Sequence, residues 1–203
     1  MLSLKEFLTE STDGAGLTIF DIDDTLFHTT AKIAVKKDGK VVRELDNQEF
    51  NHYKLKPGEE FDFRQFRDAK KFNEESKPIE KMFKKAKIIL RNATRKGSTV
   101  VIITARANFD DKETFLDTFR QHGLDIDKVR VERAGNIEGD TVPAFKKAII
   151  IRNALNTGLY KRVRLFDDSM TNLKVFLKLQ EEFPDIRFEA YFANPDGSVK
   201  TVK

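Results

Sequence analysis

Two periodicities alternate along this chain. Short apolar runs of strand length occur at 17–20, 99–104, 128–133, 162–167 and 187–193, and stretches of helical spacing lie between them. From Pro78 the pattern predicts a helix to about Lys96, with Ile79, Met82, Phe83, Ala86, Ile89 and Leu90 on its apolar face and Gly97 as its stop. A second helix is expected from Asp110 to His122, closed by Gly123 and burying Phe115, Leu116 and Phe119. Pro143 suits the first turn of a third, running to about Asn156. A fourth spans about Thr171 to Phe183 and ends before Pro184. Strands alternating with helices predict an α/β fold with a Rossmann-like parallel sheet core of five strands.

The segment between the first strand and the first long helix breaks this rhythm. Residues 31–45 are two β-prone runs around Asp38-Gly39, a hairpin signal. Residues 46–77 are polar and aromatic, with a Pro57-Gly58 turn and Phe61, Phe63, Phe66 and Phe72 among charges; helix is expected only over about 63–72. The division that follows is 1–16 as an N-terminal helix (Leu4, Phe7 and Leu8 at helical spacing) and linker, 17–27 with 78–203 as the core, and 28–77 as an insertion. Asn194-Pro195-Asp196-Gly197 begins a tail or a last short hairpin.

Bulk numbers narrow the classes. At 203 residues, with 39% hydrophobic positions including 18 Phe, the chain can bury a substantial core as one domain with an insertion. It has no cysteine, so disulfides and thiolate metal sites are excluded. The opening residues carry charges at Lys5 and Glu6, and no apolar run reaches membrane length, so neither a signal peptide nor a span is expected. A net charge of +4 is spread over pairs such as Lys36-Lys37, Lys70-Lys71 and Arg95-Lys96. Dispersed pairs read as solvated helix faces rather than a nucleic-acid track, though they would help attract an anionic ester.

The chemistry sits at strand ends. The first strand runs into three carboxylates, Asp21, Asp23 and Asp24, with Thr25 behind them. Carboxylates so crowded repel one another unless a cation or donors stand between them. A solvated acidic turn is one reading. A calcium loop fails, because its sixth position is Leu26 in place of glycine and its twelfth is Lys32 in place of glutamate. Thr104 ends the second strand, Asp167-Asp168 end the fourth, and Lys146-Lys147 open the helix before it. If these strands are parallel neighbours, their C-termini bring the carboxylates and Thr104 to one sheet edge, where ligands bind. His28, His52 and His122 have no metal-ligand spacing.

These residues resemble the motifs of the haloacid dehalogenase superfamily of phosphohydrolases over roughly 17–193. Asp21-Ile22-Asp23-Asp24-Thr25 resembles its first motif, Thr104 its second, Lys146 or Lys147 its third and Asp167-Asp168 its fourth, with Asn172 four residues on. Response regulators use a similar inventory in a different order, an acidic pair after the first strand, then a lone phosphorylated aspartate, a threonine and a lysine, whereas here a second acidic pair comes last. The resemblance implies that Asp21 is a nucleophile forming an aspartyl-phosphate. It implies that Asp23 protonates the leaving oxygen and then deprotonates water, a duty needing a raised pKa, and that Asp23 lends its backbone carbonyl to a magnesium ion. Thr104 would donate to a phosphoryl oxygen, and Arg106 would reach a substrate phosphate or pair with an acid. Lys146 is preferred to Lys147 because it directly follows Phe145, with Lys147 as the alternative. Asp168 is the expected side-chain metal ligand, Asp167 its support and Asn172 a helix-face partner, while Asp24 supports the turn.

The resulting expectation is a magnesium-dependent phosphomonoester hydrolase with a small cap at 28–77, acting on a nucleotide or a nucleic-acid 3′-phosphate. Small-metabolite or phosphoprotein phosphatases, and a non-catalytic binding module, are the alternatives. Beyond a phosphorylated small molecule or nucleic-acid end, no membrane and no obligate protein partner is expected. The expected setting is the cytoplasm, the host's if the chain is phage-encoded; its opening Leu4-Lys5-Glu6-Phe7-Leu8 resembles the starts of proteins of large tailed bacteriophages.

Overall fold

The computed structural model describes residues 15–139 and 142–203. The helix expected near the N-terminus lies outside them. Strand β1 (Ala15–Phe20) is central in a six-stranded sheet. It pairs in parallel with β7 (Thr99–Thr104) on one side and β9 (Tyr160–Asp167) on the other. Outside these lie β8 (Arg130–Arg133) and β10 (Arg187–Ala193), both parallel to their neighbours. With β11 (Val199–Val202) at its edge, the order β11-β10-β9-β1-β7-β8 reverses its direction of growth between β1 and β9, compatible with a Rossmann-like sheet. Ligands bind such sheets where the strand order reverses, outside the C-terminal ends of the strands. The turn at 194–197 resolves as a hairpin, since β11 (Val199–Val202) returns antiparallel to β10.

Helices cover both faces. Leu17, Ile19, Val163 and Leu165 point to one side, against α5 (Pro143–Leu155) and α6 (Met170–Lys178). Phe20, Ile102 and Phe166 point to the other, against α3 (Glu80–Lys96) and α4 (Lys112–Gln121). Gly97, at φ 70°, ends α3 in the left-handed conformation that favours glycine. An aromatic ladder crosses the sheet, with Phe166 stacked on Phe20 and on Tyr191 at 4.8 Å each. Such pairs hold register. Because Phe20 is level with Phe166, the next residues, Asp21 and Asp167, emerge side by side.

The insertion is more ordered than its sequence suggests. Its hairpin is β3 (Ile33–Lys37) and β4 (Lys40–Leu45), joined through Asp38 and Gly39 at φ 50° and 73°. A third strand, β5 (Glu59–Asp62), pairs with β3, and a helix, α1 (Asn47–His52), precedes it. Neither was expected. The helix had a readable signal, since Asp46 and Glu49 form a reciprocal capping box. The helix expected over 63–72 is instead a 3₁₀ turn, Arg64–Arg67, followed by α2 (Ala69–Glu75). Strand β2 (Phe27–His28) pairs with β6 (Lys77–Pro78), so the two ends of the insertion are stapled together. Phe72 and Ala69 are buried in the main core, whereas Phe63 is 46% exposed. Among the described residues no helix is long and apolar enough to cross a membrane.

Candidate active site

The chain turns sharply after β1. The N–H of Leu26 and that of Phe27 both donate to the carbonyl of Ile22, at 2.9 and 3.0 Å. Asp24 sits in the turn at φ 53°, a conformation that aspartate tolerates better than most residues. Its position explains the third carboxylate as a turn residue, in contact with His28 at 3.5 Å. Asp21 stays at the strand end, where its N–H donates to Phe166 O at 3.0 Å, and Asp23 is turned toward the insertion.

Lys147, 3% exposed, places Nζ 2.8 Å from Asp21 Oδ1 and 2.8 Å from Asp167 Oδ2. This corrects the preference for Lys146. Along α5 the buried positions are Ala144, Lys147, Ala148, Ile151 and Leu155, and Lys146 lies off that stripe. The signal was therefore in the helical period, which puts Lys147 on the sheet-facing side. Burial alone would disfavour the Lys147 ammonium, but the two carboxylates outweigh it and hold the group charged.

Asp167 is engaged by three donors. Its Oδ1 accepts from Ser169 N at 2.9 Å and Asn172 Nδ2 at 2.8 Å, while Oδ2 accepts from Lys147. Ser169 also caps α6 through Asn172 N, a role the sequence reading missed. Oxygens of Asp21, Asp167 and Asp168 lie within 4.8 Å of one another. Burial, then the neighbouring carboxylates, raises Asp168 to about 8; burial raises Asp21 to about 7, against the pull of Lys147. A divalent cation would relieve this crowding, and oxygen donors are the type magnesium takes. With Asp167 already engaged, Asp168 and Asp21 are the carboxylates best suited to hold it.

Asp23 departs from the expected raised pKa. Burial pushes its carboxyl up, but Arg106 outweighs it and, with Thr29, holds it below its ordinary value. Arg106 Nε lies 2.9 Å from Oδ2, Arg106 Nη2 lies 2.6 Å from Oδ1, and Thr29 Oγ1 donates to Oδ1 at 2.6 Å. Of the two roles considered for Arg106, the structure thus places it on an acid. Thr104 is buried at the end of β7, and its Oγ1 accepts from Arg106 N at 3.1 Å.

The loop after Thr104 is gripped by Gly135, which no sequence motif flagged. A Cβ there would lie 2.6 Å from Ala105 O and from Ala107 N. Gly135→Ala is expected to lower stability by about 1–3 kcal/mol through backbone overpacking. Thermal melting several degrees below that of the wild type checks this, and an unchanged midpoint would show that the loop yields freely.

Comparison of the chain with protein-family models and with curated proteins finds no match in either.

Proposed function

We propose that the chain is a magnesium-dependent phosphomonoester hydrolase of the haloacid dehalogenase type, with residues 28–77 as its small cap. One observation carries the reading: a buried lysine bridges two strand-end carboxylates 2.8 Å away, with Asp168 beside them, where the strand order reverses. A carboxylate attacks a phosphate ester only where positive charge offsets their repulsion, and Lys147 supplies part of it. A magnesium ion held by Asp21 and Asp168 would supply the rest of the charge on the phosphoryl oxygens.

In this reading an Asp21 oxygen bonds to phosphorus as the ester P–O bond breaks, its electron pair leaving on the alcohol oxygen. Asp23 passes a proton to that oxygen. Because Arg106 keeps Asp23 ionised at rest, that proton arrives with the monoanionic ester. Asp23 then takes a proton from the water that attacks the aspartyl-phosphate, releasing phosphate and restoring Asp21. Thr104, at the neighbouring strand end, is suited to donate its hydroxyl to the phosphoryl group. The partly exposed Lys146 stays outside this set.

The favoured substrates are nucleotides or nucleic-acid 3′-phosphates. The binding-module reading has one support, that Arg106 already occupies the group meant to handle protons. Phosphate release with magnesium, measured on nucleotides, sugar phosphates, phosphopeptides and 3′-phosphorylated oligonucleotides, separates these readings. Release from the nucleotide and oligonucleotide arms is expected; none from any arm favours the binding module.

Metal binding carries a pH signature. Asp21 and Asp168 have raised pKa values, so the folded chain keeps protons that the unfolded chain loses above about pH 4. Their contribution to stability is full below that point and lost as pH rises through about 7 to 8. Magnesium competes with those protons. It should raise the melting midpoint by at least about 3 °C at pH 8 and by less than about 1 °C at pH 5. Asp168→Ala should remove most of the pH 8 shift and Asn172→Ala little; equal losses would mean that the ligand is misassigned.

A further inference from the structure

We infer that Arg106 is a positioning residue that fastens the Asp23 carboxylate to the 64–72 segment of the insertion, making that segment a working part of the site. This rests on the hydrolase reading above, in which Asp23 serves the leaving group.

Arg106 is 3% exposed, and its donors are committed in two directions. Nε and Nη2 fork onto the two oxygens of Asp23, while Nη1 donates to the carbonyl of Phe66 at 3.1 Å. The rings of Phe66, Phe72 and Phe109 lie 4.7, 5.0 and 5.4 Å from its guanidinium carbon. A planar cation packed against aromatic rings with a bidentate partner has little orientational freedom. It could turn to a substrate phosphate only by abandoning Asp23 and leaving that carboxylate, 13% exposed, without its bidentate partner.

Both walls of this arrangement are bolted. On the insertion side, Arg67 Nε donates to Asn108 O at 3.1 Å, and Asp110 N donates to Arg67 O at 2.9 Å. The N–H of Ala69 also donates to Asp110 Oδ1 at 2.9 Å. On the core side, Asn108 N donates to Asn136 Oδ1 at 3.0 Å, and Asn136 Nδ2 donates back to Asn108 Oδ1 at 2.9 Å. The other partner of Asp23, Thr29, belongs to the start of the insertion. Thr30 beside it donates to Glu75 near the insertion's end. The insertion therefore grips Asp23 from its first residues and, through Arg106, from its far side. Among the described residues the β3–β4 hairpin tip has no part in this grip, so the insertion is tied to the chemistry through its first residues and its 64–72 segment.

The test compares an alkyl ester, thymidine 3′-monophosphate, with the activated ester para-nitrophenyl phosphate, whose leaving group departs without a proton. General-acid assistance is worth roughly 100- to 10,000-fold, so Arg106→Ala should lower kcat at least about 100-fold on the alkyl ester. On the activated ester the loss should stay below about tenfold, with KM for both within about threefold. Phe66→Ala keeps the fork and the backbone carbonyl but removes one ring; it should show the same selectivity at roughly three- to tenfold. If Arg106→Ala does not fold, the Phe66→Ala ratio decides the question. Equal losses on both esters would make Arg106 merely structural, and a raised KM with kcat kept would make it a substrate contact; either overturns the inference. Failure of the wild-type protein to hydrolyse either ester overturns the hydrolase reading and this inference with it. Wild-type activity with unselective variants overturns this inference alone.

Discussion

Asp21→Asn is expected to abolish turnover, by at least about 10,000-fold, while the protein stays folded and still binds inorganic phosphate. The amide cannot form the acyl phosphate, so no slower version of the same route remains. Folding survives because the substitution removes a carboxylate from a crowded set. Lys147 keeps Asp167 as a partner at 2.8 Å, and the aromatic ladder beneath still holds the strands in register. Phosphate release and thermal melting of the purified variant give both halves of the answer. Retention of even a few per cent of activity in a preparation free of deamidated protein would rule out the covalent route.

Lys147→Ala should be the most destabilising single change, and Lys146→Ala nearly silent. Removing Lys147 leaves Asp21 and Asp167 facing each other in a buried site without their shared cation. Breaking a buried pair by deleting one partner costs about 3–5 kcal/mol. Activity should fall at least about 1000-fold, because the charge that offsets phosphate repulsion is gone. Replacing Lys146, partly exposed on the same helix, should leave the melting midpoint within about 2 °C and the rate within about twofold. If the variant is too unstable to assay, Lys147→Arg keeps the charge but exchanges a point cation for a planar fork; it should fold and remain strongly impaired. Similar effects at positions 146 and 147 would show that α5 is rotated from the arrangement described.

The long helices and core strands were legible because each carries its own period. The strand over 187–193 matches β10 to the residue, and Pro143 and Gly97 mark helix ends through local backbone preference. The insertion was less legible for an equally physical reason. β5 is a four-residue strand, Glu59–Asp62, rich in acidic side chains. Its strand character comes from the edge of β3, a partner that local sequence does not reveal. Phe61, Phe63, Phe66 and Phe72 look alike along the chain but have different fates. Phe72 joins the core, Phe66 packs on Arg106, Phe61 packs on Phe50 and Tyr53, and Phe63 packs on Phe50 and Phe61 with nearly half its surface exposed.

By itself the sequence determined which residue types stand at the ends of which strands, since an apolar run followed by aspartate or threonine leaves little freedom in a parallel sheet. That was enough to gather Asp21, Thr104, Asp167 and Asp168 at one edge. Tertiary structure alone decided which charges meet there. The facing of α5 put Lys147 inward, and the turn after β1 set Asp23 against Arg106. Closure of the insertion against the loop after β7 gave Arg106 its second anchor. Ion pairs are selected by where whole elements pack, and a buried charge takes the nearest opposite charge that packing supplies.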